Sequence, residues 1–277
     1  MELLDSPSDT ARANGSQAIH RAISVLRCIA RGRNQGVALS IICRQTGLNK
    51  STVHRLTTAL IINGLVQQDE QTRRYFLGAE CYALGLVASD RFGLHNFVGQ
   101  PVRRLAATTG DAAFFSLRQG THSLCLLREE GNYPLKSHVL QAGDRHPLGV
   151  GGGSLSMLAA LDDAEVESLL DQNMEDIALV YPNYTREALL EHVQATRARG
   201  YALNRGMVLK GSWGLGVAVR DPDGKVVGAY SIATVESRMT PEREAQLYGL
   251  LRKEADALEE YLRERGLPCA FNTQAHA

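Results

Sequence analysis

The sequence predicts a two-domain α+β protein: a winged helix-turn-helix at the N-terminus, a helical linker, and a larger domain built on an antiparallel sheet. Three observations carry this. Residues 39–66 read LSIICRQTGLNKSTVHRLTTALIINGLV, two helical periods separated by a glycine turn. Between Gln17 and Gly78 nine basic side chains stand against two acidic ones, a balance of +7 in a chain whose formal net charge is zero. Beyond that stretch, β-prone runs joined at Gln119-Gly120 and at Asp221-Pro222-Asp223-Gly224 read as antiparallel strands interspersed with helices. A length of 277 residues suits about two domains.

Residues 1–15 are polar and turn-rich and read as a disordered tail, without the apolar stretch of a signal peptide. The first domain spans 16–78. Ser40 is placed to cap a short helix whose buried side is Ile42 and Cys43, and Gly47 supplies the left-handed residue that ends it. Asn49 caps the next helix. There Val53, Leu56 and Leu60 recur at helical spacing, which puts Lys50, Ser51, Thr52 and Arg55 on the opposite face. Short hydroxyls and an arginine at a helix N-terminus suit a major groove, where Arg bonds guanine bidentately. Residues 65–68, 69–72 and 73–77 read as strand, turn and strand, a wing that places Arg73 and Arg74 along phosphates. Ser51, Thr52 and Arg55 are the candidates for base edges, Lys50, Arg73 and Arg74 for phosphates, and Gln17 and Arg21 for the backbone, with Ser40 and His54 completing the set.

A linker helix is expected over 79–95, then a second domain over 96–266 and a short tail over 267–277. In order, the patterns give a helix over 96–108, strands over 112–118 and 123–128, and a third strand over 136–140. Helices follow over 154–161, 163–172 and 185–199. Strands are expected over 201–205, 214–220 and 226–235, and a last helix runs from Thr240 to Arg265.

Candidate chemistry in this domain centres on Leu148-Gly149-Val150-Gly151-Gly152-Gly153-Ser154, which runs into a helix. Free backbone N–H groups at a positive helix end bind carboxylate or phosphate. The alternative is a close backbone crossing that only glycine permits. A phosphate loop would need a lysine after the glycines, and a nucleophile elbow a glycine after Ser154. His138, His146 and His192 read as surface or packing residues. Trp213 is the only tryptophan and is placed either to cover a small ligand or to fill core. The five cysteines show neither a CxxC pair nor metal spacing and read as reduced thiols of a cytoplasmic protein. No metal or cofactor is called for, no Ser/His/Asp set marks an enzyme, and no apolar run approaches the ~20 residues of a membrane span.

The segments QAIHRAISVLRCIA, LSIICRQTGLNKSTVHRLTTALIINGLV, RRYFLGAECYALG, LAATTGDAAFFSLRQG and VRDPDGKVVGAYSIA together resemble the IclR-type transcriptional regulators, from about Gln17 to Arg265. The resemblance implies a GAF-like effector-binding second domain and a homodimer joined through its DNA-binding domains, often paired into tetramers. It implies double-stranded DNA and a small organic acid as partners. Carried over by position, the effector pocket comprises Gly152, Gly153, Asn204, Ser212, Gly214, Ser231 and Ala233, with Trp213 beside them. A dimer would set its recognition helices in successive major grooves, about 34 Å apart, on a palindromic operator.

The chain departs from the common family pattern. Gly151-Gly152-Gly153-Ser154-Leu155 replaces a Thr-rich loop ending in Gly-Lys, Asn204 stands where the family often has an acidic residue, a cysteine near Gly214 is missing, and Ala233 replaces a second serine. Smaller, less polar walls predict an aromatic or otherwise bulky carboxylate rather than a two- or three-carbon acid. The rival readings are a second domain that only oligomerises, and an enzyme.

Overall fold

Residues 7–92, 94–135 and 140–265 are described by the computed structural model, and the chain divides between Arg91 and Phe92 into two units. The first unit opens with α1 (Pro7–Arg31), followed by α2 (Leu39–Thr46) and α3 (Lys50–Ile62). Strands β1 (Val66–Gln68) and β2 (Tyr75–Leu77) pair antiparallel, Val66 opposite Leu77, and α4 (Ala79–Phe92) leads out. Val25, Ile29, Ile42, Val53 and Leu60 form the core with Tyr75, so each helix contributes one apolar stripe.

Two expectations for this unit are corrected. α1 begins at Pro7, so residues 7–15 are helical rather than a disordered tail; proline is suited to a first helical position, where no N–H is needed. Ser40 does not cap α2. The chain arrives extended through Val37, which pairs with Tyr75, so the helix starts at Leu39 with Ala38 at its cap and Ser40 already inside the first turn. The other two signals hold: Gly47 takes φ 67° at the end of α2, and the Asn49 side chain accepts the Thr52 N–H at 2.8 Å.

In the second unit, α5 (Leu94–Thr109) precedes β3 (Ala112–Gln119), β4 (His122–Glu129) and β5 (Arg145–Pro147). Helices α6 (Gly152–Ala159), α7 (Asp163–Val180) and α8 (Arg186–Arg199) follow. Then come β6 (Ala202–Arg205), β7 (Ser212–Arg220), β8 (Val226–Val235) and α9 (Pro241–Arg265). The strands form one antiparallel sheet in the order β5-β4-β3-β8-β7-β6. Of the expected third strand, residues 136–139 lie outside the described residues; β5, which begins five residues after that segment ends, was not anticipated. α7 runs past residue 172 because Asn173 and Ile177 continue its buried stripe of Leu169 and Leu170.

Alternation along the strands gives the sheet two unlike faces. Ala113, Phe115, Leu117, Leu215, Val217, Tyr230 and Ile232 point to one side, against Val98, Val102 and Leu105 of α5 and Leu247, Leu251 and Leu258 of α9. The opposite face carries Phe114, Ser116, Gly214, Gly216, Ala229 and Ser231, and α6 lies on it. Buried Asp111 ties the sheet end to α9, accepting from Thr234 Oγ1 at 2.8 Å and Arg243 Nη2 at 2.7 Å, and pairing with Arg238. Among the described residues, no helix is long and apolar enough to cross a membrane, and no cluster of His, Cys, Asp or Glu is placed to hold a metal ion.

Candidate DNA-binding face and effector cavity

On α3 the inward side is Val53, Thr57 and Leu60, which leaves Lys50, Ser51, His54 and Arg55 exposed together at its N-terminal half. Thr52 is half-buried and its N–H is engaged by Asn49, so it stands lower on this face than its neighbours. Ser51 donates its hydroxyl to Asn49 Oδ1 at 2.9 Å, which leaves its oxygen as an acceptor for a base amino group. Gln17 and Arg21 of α1 line a shallow groove with His20, Thr46 and Leu48, beside the turn between α2 and α3. Ser40 is exposed on α2.

The wing separates its two arginines. Arg74 is half-buried and donates from Nη1 to the carbonyls of Gln35 and Gly36, both at 3.2 Å, so it fixes the wing against the turn after α1 instead of standing free beside a phosphate. Arg73 is exposed at the tip with φ 56°, a left-handed conformation that side-chain-bearing residues rarely hold. The tip is shaped by Asp69: the Thr72 hydroxyl donates to it at 2.6 Å and the Thr72 N–H at 2.7 Å, which holds its carboxyl below the usual carboxylate range. Backbone outliers of this kind cluster where function requires them. Replacing Arg73 with glycine is therefore expected to stabilise the fold, by up to about 1 kcal/mol, while reducing DNA affinity and the salt slope by about one counterion. Thermal unfolding and DNA titrations across a salt series check this; an unchanged salt slope would remove Arg73 from the phosphate contacts.

In the second unit the loop after β5 crosses the sheet and turns at Gly151 (φ 84°) into α6, whose first turn no side chain caps. It lies very close. A Cβ on Gly152 would stand 2.8 Å from the Gly214 carbonyl, and one on Gly153 would stand 2.9 Å from Ser231 Oγ. The close crossing anticipated as an alternative is thus present, and it coexists with an open helix end. The Gly151 N–H donates to Tyr184 Oη at 3.1 Å, while the N–H groups of Gly152, Gly153 and Ser154 have no intrahelical acceptor.

This helix end opens on a cavity of about 600 Å³, its mouth included. Of the residues expected there, Gly152, Gly153, Asn204, Ser212, Gly214, Ser231 and Ala233 all line it. Trp213 does not. It alternates to the other face of β7, opposite Thr234, where the Arg205 guanidinium lies 5.3 Å from its ring, and it packs against the cluster under α5 and α9. Asn204, buried on β6 across from Gly214, donates to Tyr184 Oη at 2.5 Å; burial pushes the Tyr184 hydroxyl up to about 12, so it stays protonated. Phe114, Leu140 and Ala233 form an apolar wall. Among the described residues the lining contains no Lys, Arg, Asp or Glu.

Residues 18–70 match the model of the IclR helix-turn-helix domain, and residues 88–260, more than half of the chain, match that of the bacterial transcriptional regulator IclR C-terminal domain. The chain belongs to the IclR family of transcriptional regulators. Over 252 residues it is 27% identical to the transcriptional repressor IclR of Escherichia coli, covering 89% of this chain and 90% of that protein. Over 235 residues it is 27% identical to the HTH-type transcriptional regulator BhcR of Paracoccus denitrificans, covering 83% and 82%. The fold matches an IclR homolog from Microbacterium hydrocarbonoxydans solved with 4-hydroxybenzoate, with a TM-score of 0.71, 20% identity, and coverage of 89% of this chain and 99% of that one. As an IclR-type regulator, the protein combines a DNA-binding domain with an effector domain; its relatives are named as regulators and repressors, not as enzymes.

Sequence reasoning missed several lining residues of this IclR-family domain: Phe114, Ser116, Ser123 and His146 among them. Their signal lay in strand parity. Phe114 pairs with Ser231 and Ser123 with His146, and cross-strand partners share a face, so fixing Ser231 to the cavity fixes Phe114 and Ser116 as well. His146 accordingly lies at the cavity rather than only packing.

Proposed function

We propose that this regulator binds a palindromic operator as a homodimer, able to pair into tetramers, and that an aromatic carboxylate in the second-domain cavity alters its DNA affinity in the cytoplasm. The observation that carries the ligand reading is the uncapped N-terminus of α6 opening on a cavity with an apolar wall. Its N–H groups and helix dipole hold the carboxylate, while Phe114, Leu140 and Ala233 take the ring. Asn204 supports this: a neutral side chain beside Gly152 leaves that end without an opposing negative charge. The 4-hydroxybenzoate held by the Microbacterium homolog is in keeping with it. Exposed Ile19 and Ile23 on α1, and Tyr82 and Val87 on α4, supply apolar surface for self-association.

The effector acts only through a difference in its affinity for the DNA-competent and DNA-incompetent arrangements. A mobility shift on the DNA flanking the gene, at fixed salt, with aromatic and short-chain acids, tests the whole reading. An aromatic acid is expected to alter the shift; a response confined to pyruvate or glyoxylate overturns the ligand class, and indifference to every acid overturns sensing. Replacing Asn204 with aspartate, whose carboxylate can accept the Tyr184 hydroxyl in place of the bond Asn204 Nδ2 donates to it, should weaken benzoate binding by about tenfold or more through like-charge repulsion and leave neutral benzamide unaffected. Calorimetry on the folded variant decides it, and equal losses for the two ligands would mean a structural role.

A further inference from the structure

The cavity offers an anion few positive partners. Among the described residues its lining holds neither lysine nor arginine, and His146 is the one side chain there that titrates near neutral pH. A charge taken out of water is costly unless an opposite one offsets it, and the dipole at the start of α6 is worth only about half an elementary charge. The imidazole is placed to supply the rest. Its Nδ1 lies 2.8 Å from the Tyr181 hydroxyl, and the Tyr181 ring packs edge-on against Tyr184 with 5.9 Å between centroids. Tyr184 Oη in turn accepts the Gly151 N–H. Neighbouring tyrosines thus brace both the histidine and the open helix end.

The ring can change charge without losing its anchor. A hydroxyl donates to a bare Nδ1 and accepts from a protonated one, so the Tyr181 contact survives in both states. Without a ligand the imidazole is neutral near pH 7: burial holds it below its ordinary range, Asp144 opposing this and His122 of β4 adding to it. Arg145, beside it on β5, and Asp176 of α7 bear on His122 with opposite signs. Among the described residues, none of these four groups lines the cavity. A carboxylate inside it is therefore the new charge that the ring meets, and an opposite charge a few ångströms away favours an imidazolium.

We infer that His146 is the counter-ion of the effector cavity, taking up a proton from water as an anionic effector binds. This rests on the carboxylate reading of α6. The proton is held more tightly in the liganded protein, so effector affinity rises as pH falls through the liganded ring's midpoint and levels off below the free ring's. An undissociated acid that diffuses into a cell delivers one anion and one proton, and a site that takes up both responds most strongly to their joint arrival. Tyr181 is a positioning residue for the imidazole.

The test is calorimetry of benzoate binding to the full chain from pH 8 to pH 5.5, a range over which benzoate stays ionised, in buffers of unlike ionisation heat such as MES and imidazole. Affinity is expected to rise by about tenfold on acidification, with uptake reaching about half a proton per site near its maximum. Neutral benzamide should bind with no uptake. His146→Gln, which keeps a hydrogen-bonding side chain but does not titrate, should bind benzoate at pH 8 within about threefold of the parent and gain nothing on acidification. Tyr181→Phe removes the acceptor of the imidazolium and should displace the rise to lower pH; an unmoved rise would take Tyr181 out of the device. Three results overturn the inference while sparing the carboxylate site: a flat benzoate affinity over this range, equal proton uptake with benzamide, or a pH dependence that survives in His146→Gln. Benzoate failing to bind at every pH would overturn the carboxylate site and the counter-ion together.

Discussion

Replacing Gly216 with alanine is expected to destabilise the effector domain by about 3 kcal/mol, near the upper end for overpacking, and to abolish its response to acids. A Cβ there would stand 2.4 Å from the Gly152 carbonyl oxygen and 2.7 Å from the Gly153 Cα. Both obstacles are backbone, so no rotamer change relieves them. The start of α6 has to lift from β7, and the same movement displaces the N–H groups that face the cavity. Gly249 is the control. It lies exposed within α9 with open space where its Cβ would be, and alanine there should stabilise the protein by about 0.5–1 kcal/mol through helix propensity. Thermal unfolding of both variants, with acid binding by calorimetry, is decisive. A Gly216→Ala protein that melts like the parent would show that α6 does not rest on the sheet as closely as described.

Arg55→Ala should cost about 1–3 kcal/mol of operator binding and relax the preference at one base pair. Arg55 is exposed on the same face of α3 as Ser51 and His54, and among the described residues it has no protein partner to lose. Its removal therefore changes what DNA sees without unsettling the core. Binding to a set of single-base operator variants at constant salt checks the assignment. A loss spread evenly over all sequences would make Arg55 a phosphate contact, and an unchanged preference would remove it from the interface.

Much of this architecture was legible because its signals are local. Asn49 and Gly47 punctuate the helices through their own backbone chemistry, and Val53 and Leu60 mark the buried stripe of α3 at helical spacing. What escaped depended on long-range geometry. Ser40 has the right chemistry for a cap, but the pairing of Val37 with Tyr75, set by a strand far along the chain, starts the helix two residues earlier, with Ala38 at its cap. β5 is three residues long and ends in proline, too short for alternation to register. Trp213 was placed with its neighbours Ser212 and Gly214, although adjacent strand residues face opposite ways. Arg74 looked like a free cation because nothing local reveals that two carbonyls nearly forty residues earlier receive it.

The two outermost strands of the large sheet are also its shortest, β5 with three residues and β6 with four. β5 combines Arg145 with Pro147, which has no N–H to offer a neighbouring chain, and β6 ends in Arg205. Neither border is a good template for a further strand. Among the described residues, both borders of the sheet are therefore guarded against edge-to-edge growth into aggregates.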